Sequence, residues 1–246
     1  MSAGRFVWRE LVAPSPSASF YADLFGWTAS SMDMGGGTYT MFRHPGLAED
    51  VGGSVAPSMD GVPPHWLDYV TVADLDTTAA TIDRLGGQRI TPNIAVPGVG
   101  RFFVAADPHG AVFAPFVSET PGATPDRAPP VGTFCWSQLM TSNLDKTVPF
   151  YAEVFGWTPV MTGGVTVFTQ GEHRRASAAP YPEQAMPDMW LKYVAVDDCD
   201  ASFSRAVSLG AHAIKGPTEI PGLGRFAVLT DPGGAVFALW KQTGTM

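Results

Sequence analysis

Glu10 is the side chain of this sequence best placed to do chemistry. It lies in Phe6–Val12, an alternating run that reads as a half-buried strand with Trp8, Glu10 and Val12 on one face. Alternation on two further runs puts Leu67, Tyr69 and Thr71, and Val112, Ala114 and Phe116, on matching faces. A carboxylate in such apolar company has a raised pKa and can act as a general base, with Tyr69 as its acid partner. The same positions return in the second half as Trp136, Gln138, Met140, Leu191, Tyr193, Val236, Ala238 and Trp240. Gln138 has nearly the volume of Glu10 without its charge. A buried carboxylate needs a partner, so a purely structural role favours the amide. Glu10 is therefore expected to anchor a ligand in the first half, against the alternative that Arg101 or a strand-end amide satisfies it. The lining as a whole suits a flat organic molecule of modest size, or fills the interior as plain core.

Other reactive residue types give weaker signals. His44, His65, His109, His173 and His212 show no ligand spacing, and none recurs in the other half. Cys135 and Cys199 replace Val7 and Leu75 of the other half, as buried small hydrophobes do, and form no disulfide framework. Arg101 and Arg225 follow Gly-x-Gly in both halves and are expected to brace that loop. Gly98-x-Gly100 and Gly222-x-Gly224 lack a following helix N-terminus, so they read as bends and not as phosphate sites.

What positions these residues is a repeat. Residues 64–116 and 188–240 align without a gap, with 23 of 53 positions identical. Trp8 to Trp27 returns as Trp136 to Trp157 with two extra residues. A period this long means tandem domains: residues 1–118, a Pro/Gly-rich linker over 119–131, and residues 132–246. Each half reads as strand, helix, three strands, twice over. Asp74, Asn143 and Asp198 are helix caps, Gly26, Gly86 and Gly210 are stops, and Pro149 should kink its helix. Residues 88–96 read as one strand.

Composition narrows the classes. The 246 residues are 45% hydrophobic and 15% charged, enough for two cores. A net charge of −8 argues against nucleic acid as a partner. No apolar run has membrane-span length and the start lacks signal-peptide anatomy, so a cytoplasmic protein with a small-molecule partner is expected.

Three motifs recur in order: F-Y-x-x-x-F-G-W at 20–27 and 150–157, W-L-x-Y-V-x-V-x-D at 66–74 and 190–198, and D-P-x-G-A-V-F at 107–113 and 231–237. In these the chain resembles the vicinal-oxygen-chelate superfamily of glyoxalase I, bleomycin-resistance proteins and extradiol dioxygenases. The resemblance implies an α+β fold of tandem glyoxalase-like domains, each two βαβββ modules forming a curved eight-stranded cup. It also implies a divalent metal held by His and Glu on the first, fifth and last strands of each cup. Those positions carry Trp8, Leu67 and Ala114 in the first half and Trp136, Leu191 and Ala238 in the second. None can ligate a metal. The expectation is therefore a cofactor-free protein, a monomer or homodimer, that binds an apolar or aromatic metabolite or drug for sequestration, resistance or transport. The alternatives are a metal-free isomerase, cyclase or hydrolase using Glu10 and Tyr69 and, last, a metal-dependent glyoxalase or dioxygenase.

Overall fold

The computed structural model describes residues 3–13, 17–35, 37–58, 61–120, 129–181 and 187–244. The first half runs β1 (Phe6–Val12), α1 (Ser17–Phe25), β2 (Thr28–Asp33), β3 (Thr38–Arg43), β4 (Asp50–Val55), β5 (His65–Thr71), α2 (Leu75–Arg84), β6 (Gln88–Arg89), β7 (Ile94–Val96), β8 (Gly100–Phe102), β9 (Ala105–Ala106) and β10 (Val112–Ser118). The second runs β11 (Phe134–Thr141), α3 (Leu144–Phe155), β12 (Thr158–Thr162), β13 (Val165–Gln170), β14 (His173–Pro180), β15 (Met189–Ala195), α4 (Cys199–Ser208), β16 (His212–Ile220), β17 (Gly224–Thr230) and β18 (Val236–Gln242). One sheet has the order β2-β3-β4-β1-β5-β10-β8-β7, with β6 and β9 beside it; the other has β12-β13-β14-β11-β15-β18-β17-β16. This is the α+β repeat of βαβββ modules expected from the sequence.

Local chemistry explains the boundaries. Asp74, Asn143 and Asp198 cap α2, α3 and α4, each accepting from the backbone N–H three residues on. α3 continues through Pro149 and ends at Gly156, whose φ is 67°. One expectation is corrected: residues 88–96 are two short strands, β6 and β7, not one. Pro92 lacks the N–H a continuous ladder needs. The second half keeps β16 whole across Gly216-Pro217, with a register shift between Lys215 and Thr218. No helix among the described residues is long and apolar enough to cross a membrane.

Packing divides the chain differently from the repeat. One compact unit comprises Met1–Trp8, Leu67–Asp126 and Ser137–Trp190; the other comprises Arg9–Trp66, Arg127–Trp136 and Leu191–Met246. Each unit thus joins a module from one half to a module from the other. Most of the linker, residues 121–128, lies outside the described residues. In the first unit Val70, Ile82, Phe103 and Phe113 share a core with Phe150, Tyr151, Phe155, Trp157 and Trp190. In the second, Phe20, Tyr21, Trp27, Phe42 and Trp66 share one with Val194, Phe237 and Leu239.

All three repeated motifs meet at the centre of each core. In the first unit the Trp190 indole N–H donates to the Tyr151 hydroxyl at 3.0 Å, and Tyr151 donates to Asp107 Oδ2 at 3.1 Å. Asp107 Oδ1 accepts the backbone N–H groups of His109 and Ala111, closing the D-P-x-G turn. In the second unit Trp66 donates to Tyr21 at 2.8 Å, while Asp231 Oδ1 accepts from Gly233 and Ala235. Burial, then the charge of Asp107 or Asp231, holds both tyrosine pKa values well above the ordinary value. The other repeated tryptophans lock the strand entries. Trp157 donates to the Gly4 carbonyl at 2.9 Å and Trp27 to that of Gly132 at 2.7 Å. A Cβ on Gly4 would stand 2.6 Å from the Trp157 Nε1 it faces.

Two outcomes follow. Because each core takes residues from both halves, cutting a protease site inserted within 121–128 leaves the halves associated. Fragments that elute separately from a native sizing column would contradict this. Burial raises the Asp107 pKa above its unfolded value. Its contribution to stability is therefore fully present below the unfolded pKa and lost as pH rises through the folded one. Asp107→Asn keeps the turn acceptor but puts an N–H donor where the Tyr151 O–H is accepted, so it is expected to melt a few °C below wild type at pH 7. That deficit should widen as the pH approaches 4, because the raised pKa makes wild type gain stability on acidification; a deficit that narrows shows the charge to be favourable.

Candidate functional site

Helices cover one face of the strands; the candidate residues lie on the other. In the first unit β5 and β10 pair Ala114 with Tyr69 and Phe116 with Thr71. The Tyr69 ring meets Phe102 edge-on at 4.8 Å and Phe116 at 6.3 Å. Leu67, Tyr69, Ala114 and Phe116 are buried, whereas Trp8 and Gln138 are half-buried. In the second unit Tyr193 pairs with Ala238, and Trp240 with Phe226. The rings of Tyr193 and Trp240 meet edge-on at 6.4 Å. Leu191, Tyr193 and Ala238 are buried, and Trp136 and Trp240 half-buried. The Trp240 Nε1 is nevertheless a buried donor with no hydrogen-bond partner among the described residues.

The repeated glycines make room for these rings. A Cβ on Gly100 would meet Phe116 at 2.6 Å and the Val117 carbonyl at 2.3 Å. On Gly224 it would meet Trp240 at 2.7 Å and the Lys241 carbonyl at 2.4 Å. Gly98 and Gly222 supply the positive φ of the preceding turn, 75° and 76°. The Gly-x-Gly pairs are thus bends that also seat an aromatic ring. Arg225 forks onto Asp200 in the first turn of α4 at 2.7 and 2.8 Å, lowering that carboxyl's pKa. Arg101 is exposed and acts on the Asp74 cap, whose pKa is lowered first by its hydrogen bonds to Thr77.

Glu10 has a partner that sequence reading did not find. The Tyr39 hydroxyl donates to Glu10 Oε1 at 2.9 Å. Glu10 pairs with Gly53 across β1 and β4, and a Cβ on Gly53 would lie 2.3 Å from the Tyr39 oxygen. Gln138 pairs instead with Ser177. Met41 opposes Gly53 and Val167 opposes Ser177, so Tyr39 is matched by Val165. The missed signal was a tyrosine on a strand whose repeat carries valine. Asp68 and Lys192, matched at the repeat offset, were missed too; both are fully buried charges.

Burial, then Cys135, raises the Tyr193 pKa, so its phenol stays protonated near neutrality. Burial pushes Cys135 up to about 12 and Cys199 to about 11, so neither offers a thiolate. His65 is lowered, chiefly by burial, and its Nδ1 lies 2.8 Å from the Pro63 carbonyl.

This architecture defines a class: tandem βαβββ modules with an aromatic, metal-ligand-poor sheet face. Residues 133–239 match the family described as the Glyoxalase/Bleomycin resistance protein/Dioxygenase superfamily. The chain is 33% identical over 254 residues to CFP32 of Mycobacterium tuberculosis (strain CDC 1551 / Oshkosh), named as a glyoxylase; the match covers 95% of this chain and 93% of that protein. It is 34% identical over 259 residues to the anthracycline biosynthesis protein DnrV of Streptomyces peucetius, covering 96% and 92%. Among solved structures it resembles the Mn(II)-bound glyoxalase from Novosphingobium aromaticivorans, with a TM-score of 0.66, 19% identity, and coverage of 98% and 82%. The 2,3-dioxygenase LapB from Pseudomonas sp. KL28 also gives 0.66, with 13% identity and coverage of 100% and 94%. The chain belongs to the glyoxalase/bleomycin resistance protein/dioxygenase superfamily.

The superfamily's metal does not fit the residues present. Trp8, Leu67 and Ala114, and Trp136, Leu191 and Ala238, offer indole, isobutyl and methyl groups at the implied ligand positions. Among the described residues no group of three or more His, Cys, Asp and Glu side chains is placed to hold a metal ion.

Proposed function

We propose that this protein binds a small, largely apolar, fused-ring aromatic molecule without a metal, as a cytoplasmic sequestration, resistance or carrier protein. One observation carries the reading. Where the superfamily would place metal ligands, each unit presents an aromatic face, and on one of them the Trp240 N–H is buried and unclaimed by the fold. Edge-on aromatic pairs accept a flat ring readily, and a buried indole N–H suits a ligand carbonyl. The streptomycete relatives are named for anthracycline biosynthesis, which directs the expectation to fused rings. Nucleic acid and membrane have no part in this reading.

The Glu10–Tyr39 hydrogen bond favours a second reading, a metal-free isomerase or cyclase with Glu10 as acid–base. The two separate on turnover: a binding protein returns the ligand chemically unchanged.

Protein produced with Mn, Fe, Ni and Zn in the medium is expected to carry far less than one equivalent of any of them by elemental analysis. About one ion per half, with activity lost to a chelator, would overturn the metal-free reading. Titration with 2-hydroxyanthraquinone should quench tryptophan fluorescence saturably. Trp240→Phe, which keeps the ring and loses the N–H, is expected to weaken that binding several-fold. No saturable quenching in wild type removes the aromatic-ligand reading.

A further inference from the structure

A bulge in β16 brings a lysine onto the aromatic face of the second half. The pairing of β16 with β17 runs through His212–Thr230 and Ala213–Leu229, then shifts so that Lys215 opposes Val228. In an unbroken ladder Lys215 would oppose Ala227, which is fully buried in the core. The extra residue turns Lys215 to the other face, which carries Phe226, Val228 and Trp240. There its ammonium stands 5.4 Å from the centre of the Phe226 ring, and Phe226 in turn pairs with Trp240. β16 is the outermost strand of its sheet, so the lysine stands exposed at the edge of the aromatic row.

The first half has the same irregularity with a different residue. The N–H groups of Ile90 and Thr91 both donate to the Val104 carbonyl, and Val104 donates back to Thr91 Oγ1 at 2.9 Å. Threonine thus closes its own bulge. Lysine has no acceptor and cannot do so. Trp240 is matched by Phe116, which has no donor. The second half therefore adds an ammonium and an indole N–H to a face on which tyrosine, phenylalanine and alanine are common to both halves at 69/193, 102/226 and 114/238. The neighbouring acidic groups lie across the sheet: Glu219 opposes Arg225, and Arg225 forks onto Asp200. In a chain of net charge −8 this face carries local positive charge, which attracts an anion that the rest of the surface repels.

We propose that the second half takes aromatic carboxylates, with the ring system laid on Tyr193, Phe226 and Trp240 and with Lys215 as the specificity-determining residue that pairs with the anionic group. This rests on the aromatic-ligand reading above and names its ligand class.

The test compares anthraquinone-2-carboxylate with its neutral isostere anthraquinone-2-carboxamide by tryptophan quenching at low ionic strength. Wild type is expected to bind the carboxylate about fivefold more tightly, the upper end for an exposed ion pair. The preference should shrink in about 0.5 M salt. Lys215→Met should abolish it with carboxamide affinity unchanged, and Lys215→Arg should retain it. Lys241→Met removes the same charge from the opposite face, where Lys241 opposes Arg225, and should leave the preference intact. A preference that survives Lys215→Met, or falls equally in Lys241→Met, overturns the assignment of Lys215. Equal binding of both compounds by wild type overturns the proposal and leaves the aromatic-ligand reading standing. Saturable binding of neither removes that reading and the proposal together.

Discussion

A buried carboxylate in a tight turn organises this molecule. Asp107 and Asp231 each use one oxygen to close the D-P-x-G hairpin on two backbone N–H groups. Each then faces a fully buried tyrosine from a helix of the other half, and that tyrosine is fixed by a buried tryptophan N–H. Aromatic edges complete the arrangement, with Tyr21 and Tyr151 each 5.0 Å from their tryptophan at nearly right angles. Removing any member leaves a polar atom stranded among phenylalanines, at a cost of about 1–3 kcal/mol. The repeated motifs are the parts of this single interaction, and they recur because it is made twice.

The consequence is an exchange between halves. Each half contributes the tyrosine to one centre and the aspartate to the other, so neither half completes its own core. This explains why a sequence with two clear repeats packs into units that cut across them. It also explains why glycine stands at 4: Trp157 from a helix end must reach the backbone carbonyl there, and a Cβ obstructs the approach, whereas at 132 a Cβ would meet the His44 ring at 3.0 Å.

The repeat made the fold legible. Strand alternation, helix caps and positive-φ glycines are local, and they appeared where sequence placed them, apart from the strand that Pro92 divides. The faces of Leu67, Tyr69, Ala114 and their counterparts followed from period two alone. The partner of Glu10 did not. Arg101 was the nearest suggestion by charge, whereas Tyr39, neutral and 29 residues away in the chain, donates a hydrogen bond to Glu10. Hydrogen bonds across a sheet depend on register, and register depends on which strand pairs with which. Asp68 and Lys192 escaped for the same reason: in sequence they are single charges within apolar strands, and only packing shows them buried.

The repeat also separates what the fold needs from what a ligand needs. Polar residues common to both halves are consumed structurally: the aspartates by turns and tyrosines, the tryptophans of the motifs by tyrosine and backbone oxygens, and Arg225 by a helix start. What differs between halves is not required for the strand order, because the other half forms the same order without it. The positions that the resemblance assigns to metal ligands carry no metal-ligating side chain in either half, so the two halves do not differ there. One difference on the uncovered sheet face is Glu10 with Tyr39 and Gly53, and it is coupled sterically as well as by hydrogen bonding. On that face the first half carries a carboxylate where the second carries an amide of nearly equal volume, and the Tyr39 hydrogen bond offsets part of the cost of desolvating the carboxylate.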